Sequence, residues 1–269
     1  MTLNIATAHE LVIDIGNMPI AVRTECTEFA AMLHARYGGF VSAAGPPVFE
    51  LNIELLPPGA VTDADDVRVL REGERWVMER GDFRAEWEPE QQRGWVRQSA
   101  NPYAIDAVLR ILHSLVLARE GGMLVHAASA VRNGKAFVFS GVSEAGKTTI
   151  SRLAPPEVTL LTDEISYVRL NGSGYIAYGT PFAGELAKIG ENVRAPLAAV
   201  YLLQKGPANK IEDMDEGDAV RALLRNVLFF AADPDLVEMV FDSVCALVRH
   251  VPVQRLTFFP DARVWELIG

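Results

Sequence analysis

Residues 123–149 read MLVHAASAVRNGKAFVFSGVSEAGKTT. Two apolar runs, MLVHAASAV and AFVFS, flank Arg132-Asn133-Gly134-Lys135. Asn-Gly is the preferred centre of a two-residue type I′ turn, because both central residues must take positive φ. The stretch therefore predicts an antiparallel hairpin with Arg132 opposite Lys135. Continuing that register sets His126 opposite Gly141, the residue that follows the second strand.

That strand runs directly into Gly141-Val-Ser143-Glu144-Ala145-Gly146-Lys147-Thr148, which satisfies G-x-x-x-x-G-K-[ST] at every fixed position. Thr149-Ile-Ser-Arg follows and can open a helix. Glycines let such a backbone curl until successive N–H groups converge on phosphate oxygens, and the helix start adds a partial positive charge. The expected phosphate-binding set is Gly141, Ser143, Glu144, Ala145, Gly146, Lys147, Thr148 and Thr149. Lys147 reaches the β- and γ-phosphates, and the Thr148 hydroxyl ligates Mg2+. A chance match of four constrained positions arises in only about one chain in a hundred of this length. The pattern reads as a nucleotide site.

EVTLLTDE (157–164) reads as an apolar strand ending in Asp163 and Glu164, with room for one short helix between Lys147 and that strand. A phosphoryl-transfer site needs acids beside the phosphate loop, one for the metal shell and one to accept a hydroxyl proton. Strand alternation makes it improbable that both side chains enter one cleft. Gly179-Thr-Pro-Phe-Ala-Gly-Glu185 is a further glycine-rich loop, followed by the cations Lys188 and Arg194, and it reads either as a closing segment or as a plain turn. His9, His34 and His113 have no partners at ligand spacing and read as structural or solvent-facing, and His250, just after a long helix, reads as a surface or capping histidine.

The chain has 269 residues, a formal net charge of −10, 49% hydrophobic and 22% charged residues. That balance fits a folded chain with a sizeable core. The charge disfavours nucleic acid and anionic membrane as partners, and no basic run offsets it. Cys26 and Cys245 are far apart, which fits a reducing compartment. The amino terminus lacks a signal-peptide pattern, and no apolar run spans a bilayer. A soluble cytoplasmic protein is expected.

Residues 1–100 read as a β-rich region. LVIDIG and FELNIELL are strands, EFAAMLHARYGG is a short helix, and 67–98 is a meander turning at EGE, RGD and EPEQQ. Trp76, Phe83, Trp87 and Trp95 are expected to pack within it. Asn101 and Pro102 then start a helix with an apolar stripe at Ile105, Val108, Leu109, Leu112, Leu115 and Val116. Residues 101–269 read as a mixed α/β catalytic domain that includes a helix over 218–232 and a second one opening at Asp233-Pro234.

Residues 101–260 resemble the carboxyl-terminal catalytic domain of the HPr serine kinase/phosphorylase family, and more closely its smaller HPr-kinase-like relatives. The resemblance rests on His126 fifteen positions before Gly141, on GVSEAGKTT, on LLTDE, and on GTPFAGE followed by NVRAPLAAVYLLQKG. It implies an α/β fold of the phosphoenolpyruvate carboxykinase type, with the P-loop strand in a mixed β-sheet. It also implies ATP and Mg2+ as cofactors and γ-phosphate transfer to a serine hydroxyl of a protein or peptide. By the same resemblance Asp163 is the catalytic base, Glu164 a second acid near the metal, and His126 the active-site histidine. The chain has Asp-Glu where the family usually has two aspartates, and it lacks the E-[IV]-R-G-x-G stretch of HPr kinases. A non-catalytic nucleotide switch and a small-molecule kinase stay open beside the kinase reading, as does assembly into a homo-oligomer.

Overall fold

The computed structural model describes residues 8–42, 45–57, 66–172, 174–186 and 189–269. The first seven residues, read above for a leader, and Lys188 lie outside these. The chain divides into two compact units, Met1–Leu112 with Phe230–Asp233, and His113–Phe229 with Pro234–Gly269.

The first unit carries β1 (His9–Ile15), β2 (Met18–Thr24), α1 (Thr27–Tyr37), β3 (Phe49–Leu55), β4 (Arg68–Glu72), β5 (Arg75–Arg80), β6 (Phe83–Glu88) and β7 (Arg93–Gln98). Among the described residues these strands form one mixed sheet in the order β1-β2-β3-β7-β6-β5-β4. β3 pairs in parallel with β2 and β7, and the other ladders are antiparallel. The meander β4 to β7 turns at EGE, RGD and EPEQQ as expected, with Gly73 at φ +65° in the first turn and Gln92 at φ +52° in the last. Trp76, Phe83 and Trp87 are buried as expected. Trp95 is not: it stands on the other face of β7 from Gly94 and Val96, 40% exposed, with the Arg93 guanidinium over its ring. Period-two alternation, rather than aromatic character, decides which side it faces.

α2 (Pro102–Arg119) is capped by Asn101, whose side-chain oxygen accepts from the N–H of Tyr103 and Ala104. The helix stops at Gly121, which takes φ +71°, and the division between the two units falls within it at Leu112/His113. Ile111, His113, Ser114 and Leu117 are buried along with Ile105, Val108, Leu109, Leu112 and Leu115 of the expected stripe, while Val116 is only half-buried.

The second unit contains β8 (Met123–Arg132), β9 (Lys135–Ser140), α3 (Lys147–Arg152), β10 (Thr159–Thr162), β11 (Ile165–Asn171), β12 (Gly174–Tyr178), β13 (Arg194–Lys205), β14 (Lys210–Asp213), α4 (Glu216–Leu224), β15 (Val227–Leu228), α5 (Pro234–His250) and β16 (Val253–Phe258). Asn133 at φ +52° and Gly134 at +73° make the expected turn, and β8 pairs with β9 from Arg132↔Lys135 to Ala127↔Ser140. β8 changes neighbours midway. Its later half lies between β9 and β10, and its earlier half between β11 and β15.

That change of neighbours explains why the helix expected over 218–232 ends early. Once β9 turns away at Ser140, the His126 N–H on that edge of β8 needs an acceptor. Asn226 supplies its carbonyl at 2.7 Å, and Val227 and Leu228 pair with Val125 and Leu124. α4 is accordingly confined to Glu216–Leu224, with Asp215 as its cap.

β9 is parallel to β13 and β13 to β16, so these three strands end at one edge of the sheet. The core behind that edge stacks Phe137 and Phe139 on Tyr201, with Trp265 edge-on to Phe139. Each such fully buried large side chain contributes about 1.5–3 kcal/mol. The Trp265 indole N–H donates to the Ile150 carbonyl at 3.1 Å and ties α3 to the chain terminus. Among the described residues no helix is long and apolar enough to cross a membrane.

Candidate functional site

The segment after β9 curls tightly. Ala145 N–H donates to the Val142 carbonyl at 3.1 Å, Glu144 takes φ +63° and Gly146 φ +113°. A Cβ on Gly146 would lie 2.5 Å from Phe258 Cζ, and one on Gly141 2.7 Å from Ala145 Cβ. Both glycines are thus required by space, and Gly146 by its backbone angle as well. α3 follows at once but has only six residues.

Lys147 is 8% exposed, and its ammonium folds into the curl, donating to the carbonyls of Gly141 at 3.1 Å and Val142 at 3.5 Å. Burial pushes its pKa down, while the charges of Glu164 and Glu185 oppose that shift. The Thr148 hydroxyl donates to Glu185 Oε2 at 3.1 Å. Ser143 and Glu144 are exposed on the rim, Ala145 is buried, and Thr149 is half-buried in the first turn of α3.

The hairpin delivers His126 next to the start of the curl. The Ser140 hydroxyl donates to the His126 carbonyl at 3.3 Å, and His126 pairs with Ile165 of β11. The ladder to β9 ends one step short of Gly141, at Ala127↔Ser140, because the curl has already begun. The imidazole Nε2 lies 3.6 Å from Glu164 Oε1, with both side chains about one-third exposed.

The acids occupy a different setting from the expected strand end. β10 stops at Thr162 and β11 starts at Ile165, so Asp163 and Glu164 lie in a break between two strands, with β8 between them and β9. A register shift between Leu160 and Thr162 interrupts the alternation. Both acids consequently approach Gly184: a Cβ there would be 2.6 Å from Glu164 Oε2 and 3.0 Å from Asp163 Oδ2. Asp163 is 4% exposed, and its oxygens accept the N–H of Gly184 and of Leu186, each at 2.9 Å.

Sequence reasoning read the 179–185 loop for the cations after it. The loop brings the carboxylate of Glu185 instead, and Arg194 opens β13 as an exposed residue. The available signal was that Glu185 is the sole acid in GTPFAGE. Of the residues put forward from sequence, Lys147, Thr148, His126, Asp163 and Glu164 are joined into one neighbourhood by these contacts. Its oxygen donors, the Thr148 hydroxyl with the Glu164 and Glu185 carboxylates, are of the hard kind that suits Mg2+. Among the described residues no group of three or more His, Cys, Asp and Glu forms a closed metal cage. Mg2+ takes much of its shell from water and phosphate, and an open donor set is compatible with it.

A separate cleft of about 730 Å3 lies in the first unit, lined in part by Arg23, Asn52, Arg84, Glu86, Trp95 and Arg97. Its arginines are engaged by carboxylates: Arg23 by Glu10 and Glu50, Arg84 by Glu79 and Glu86, Arg97 by Glu54.

No curated protein matches the chain. Among solved structures, the Hpr(Ser) kinase/phosphatase from Coxiella burnetii aligns at 12% identity over 50% of this chain and 84% of that one. Its TM-score of 0.27 is too low to carry a structural argument. A family profile, described as SynChlorMet cassette protein ScmC, matches residues 103–269. That match takes in α2 from its second residue and every element of the second unit, the glycine curl and its acids included, and the chain belongs to the ScmC family.

Proposed function

We propose that the chain is an ATP- and Mg2+-dependent kinase that transfers the γ-phosphate to a hydroxyl, serine above all, of a protein or peptide. One observation carries the reading. The Lys147 ammonium sits inside the glycine curl within the field of Glu164 and Glu185, and both acids contact the other named groups, His126 and Thr148. Chance glycine turns do not assemble a buried cation, a hydroxyl, an imidazole and several carboxylates.

The loop N–H groups and Lys147 would bind the β- and γ-phosphates. Anionic phosphoryl oxygens are stronger acceptors for an ammonium than the two peptide carbonyls it now holds. Thr148 and Glu164 are the residues to hold Mg2+, which supplies charge neutralisation across the phosphates when bound. Asp163 serves as the base that takes the acceptor hydroxyl proton. Two backbone donors fix its orientation, and an ionised carboxylate has about four acceptor sites, leaving room for a hydroxyl. His126 stands beside Glu164 at the same rim, 3.6 Å from its carboxylate. In a loose phosphoryl transition state such positioning and electrostatics supply most of the catalysis.

The test uses γ-labelled ATP with Mg2+ and candidate acceptor proteins and peptides, those encoded beside its gene first. Lys147→Ala should weaken nucleotide binding about 10- to 100-fold, as expected for loss of a charged hydrogen-bond donor. At saturating Mg2+, Asp163→Asn should still bind yet transfer at least ~100-fold more slowly. Full transfer by Asp163→Asn removes Asp163 as base. Tight nucleotide binding with no label on any acceptor favours the switch reading instead.

A further inference from the structure

The strap between β12 and β13 is held to the acid-bearing break at four points. The Thr180 N–H donates to the Leu161 carbonyl at 3.0 Å, and its hydroxyl to the Ile165 carbonyl at 3.0 Å. Phe182 is 1% exposed, and its carbonyl accepts the Thr162 hydroxyl at 3.5 Å. Gly184 and Leu186 are tethered by their N–H groups to the two oxygens of Asp163. Glu185 lies between these last two tethers, so its backbone is fixed on both sides while its side chain stays exposed. Gly184 allows this approach, since no Cβ fits there beside Glu164 and Asp163.

Glu185 reaches the Thr148 hydroxyl at 3.1 Å. An ionised carboxylate only accepts, so the hydrogen in this contact is the one on Thr148. A hydroxyl whose hydrogen is committed to a carboxylate turns its lone pairs the other way, toward any cation at the curl. Partners of this kind fix the orientation and raise the basicity of the ligand they touch.

We propose that Glu185 is a positioning residue for divalent-cation binding. It orients the Thr148 hydroxyl and adds negative charge beside the cation, while Asp163 holds the strap that presents it. This role rests on reading the curl as a nucleotide site. It adds to that reading a carboxylate on the metal side that comes from the strap and not from the acidic pair.

The experiment is titration of the full chain with a fluorescent ATP analogue across a MgCl2 series, reading binding rather than turnover. In Glu185→Gln the Mg2+ concentration giving half-maximal enhancement of binding should rise about 10- to 100-fold, the usual effect of losing an outer-shell partner. Affinity for the nucleotide without Mg2+ should hold or tighten, because one negative charge is gone from beside the phosphates. Glu185→Asp should recover part of the loss, and Glu191→Gln, an exposed acid farther along the same segment, should match the unmodified chain. Wild-type Mg2+ dependence in Glu185→Gln overturns the role. If the unmodified chain binds no nucleotide at any Mg2+ concentration, the nucleotide reading itself is lost and this role with it.

Discussion

His113 makes the second unit sensitive to acid in a way that can be calculated. The side chain lies in α2 with no exposed surface, its Nδ1 3.4 Å from the Tyr167 hydroxyl and its ring edge-on to the tyrosine at 5.4 Å. Burial, helped by the positive charge of Arg169, pushes its pKa from 6.5 down to about 3. The unfolded chain therefore takes up this proton near pH 6.5 and the folded chain only near pH 3. Stability rises with pH between those limits and falls as pH drops through 6.5. Linkage across that window gives a loss of about 2 kcal/mol between pH 8 and pH 5, approaching about 5 kcal/mol near pH 3. Urea unfolding of the full chain at pH 8, 6.5 and 5 measures it, with His113→Gln as the non-titrating comparison. Carboxylates whose pKa is lowered by hydrogen bonds, such as Asp82 and Asp261, titrate below this range and cancel in the difference between the two proteins. The gap between them should close by about 2 kcal/mol on going from pH 8 to pH 5. Parallel loss of stability in both would show that His113 is not held neutral.

Two further substitutions probe packing. Gly184→Ala places a methyl 2.9 Å from Glu164 Cβ, which cannot swing aside as a carboxylate oxygen can. It should destabilise the second unit by about 1–3 kcal/mol and speed hydrogen exchange over 180–186, while unchanged exchange would contradict the close approach. In the first unit, Arg36 and Tyr37 of α1 both hydrogen-bond the carboxylate of Asp106, whose side chain is 5% exposed. Arg36→Ala leaves that charge without its cation and should cost about 3–5 kcal/mol in urea unfolding, with Arg36→Met, Tyr37→Phe and Asp106→Leu together recovering most of it, since Tyr37→Phe removes the hydroxyl that would otherwise lose its acceptor. A cost under ~1 kcal/mol for the single change would mean that the pair is solvated.

The hairpin was legible because Asn-Gly is a local instruction. Two positive-φ residues set the turn, and the turn sets every pair down to Ser140. The curl was legible for the same reason, since its glycines answer to immediate space. The strand at 227–228 was not, because Val220 to Leu228 carries a helical period and only the vacant edge of β8 overrides it. The convergence of Asp163 and Glu164 on Gly184 depends on a register shift that no propensity encodes. Glu185 escaped notice because its placement is set by the carboxylate of Asp163, two strands back in the chain, which holds the amides on either side of it. Trp95 shows the converse: an aromatic in a strand is placed by parity, and parity was readable from Gly94 and Val96 beside it.

The split partnership of β8 also says where this architecture can tolerate length change. Residues can be added at the hairpin tip in matched pairs between Arg132 and Lys135, which keeps the register below them and leaves the Arg132 guanidinium on the carbonyls of Trp265 and Ile268. A single residue gained or lost between Ala127 and Val131 is another matter. It would rotate one half of the strand against the other, exchange the inward and outward sides of Met123–His126, and uncouple the imidazole from its acid while the turn itself stayed intact. Natural variation in hairpin length should therefore come in even steps at the tip and be absent from the shared stretch.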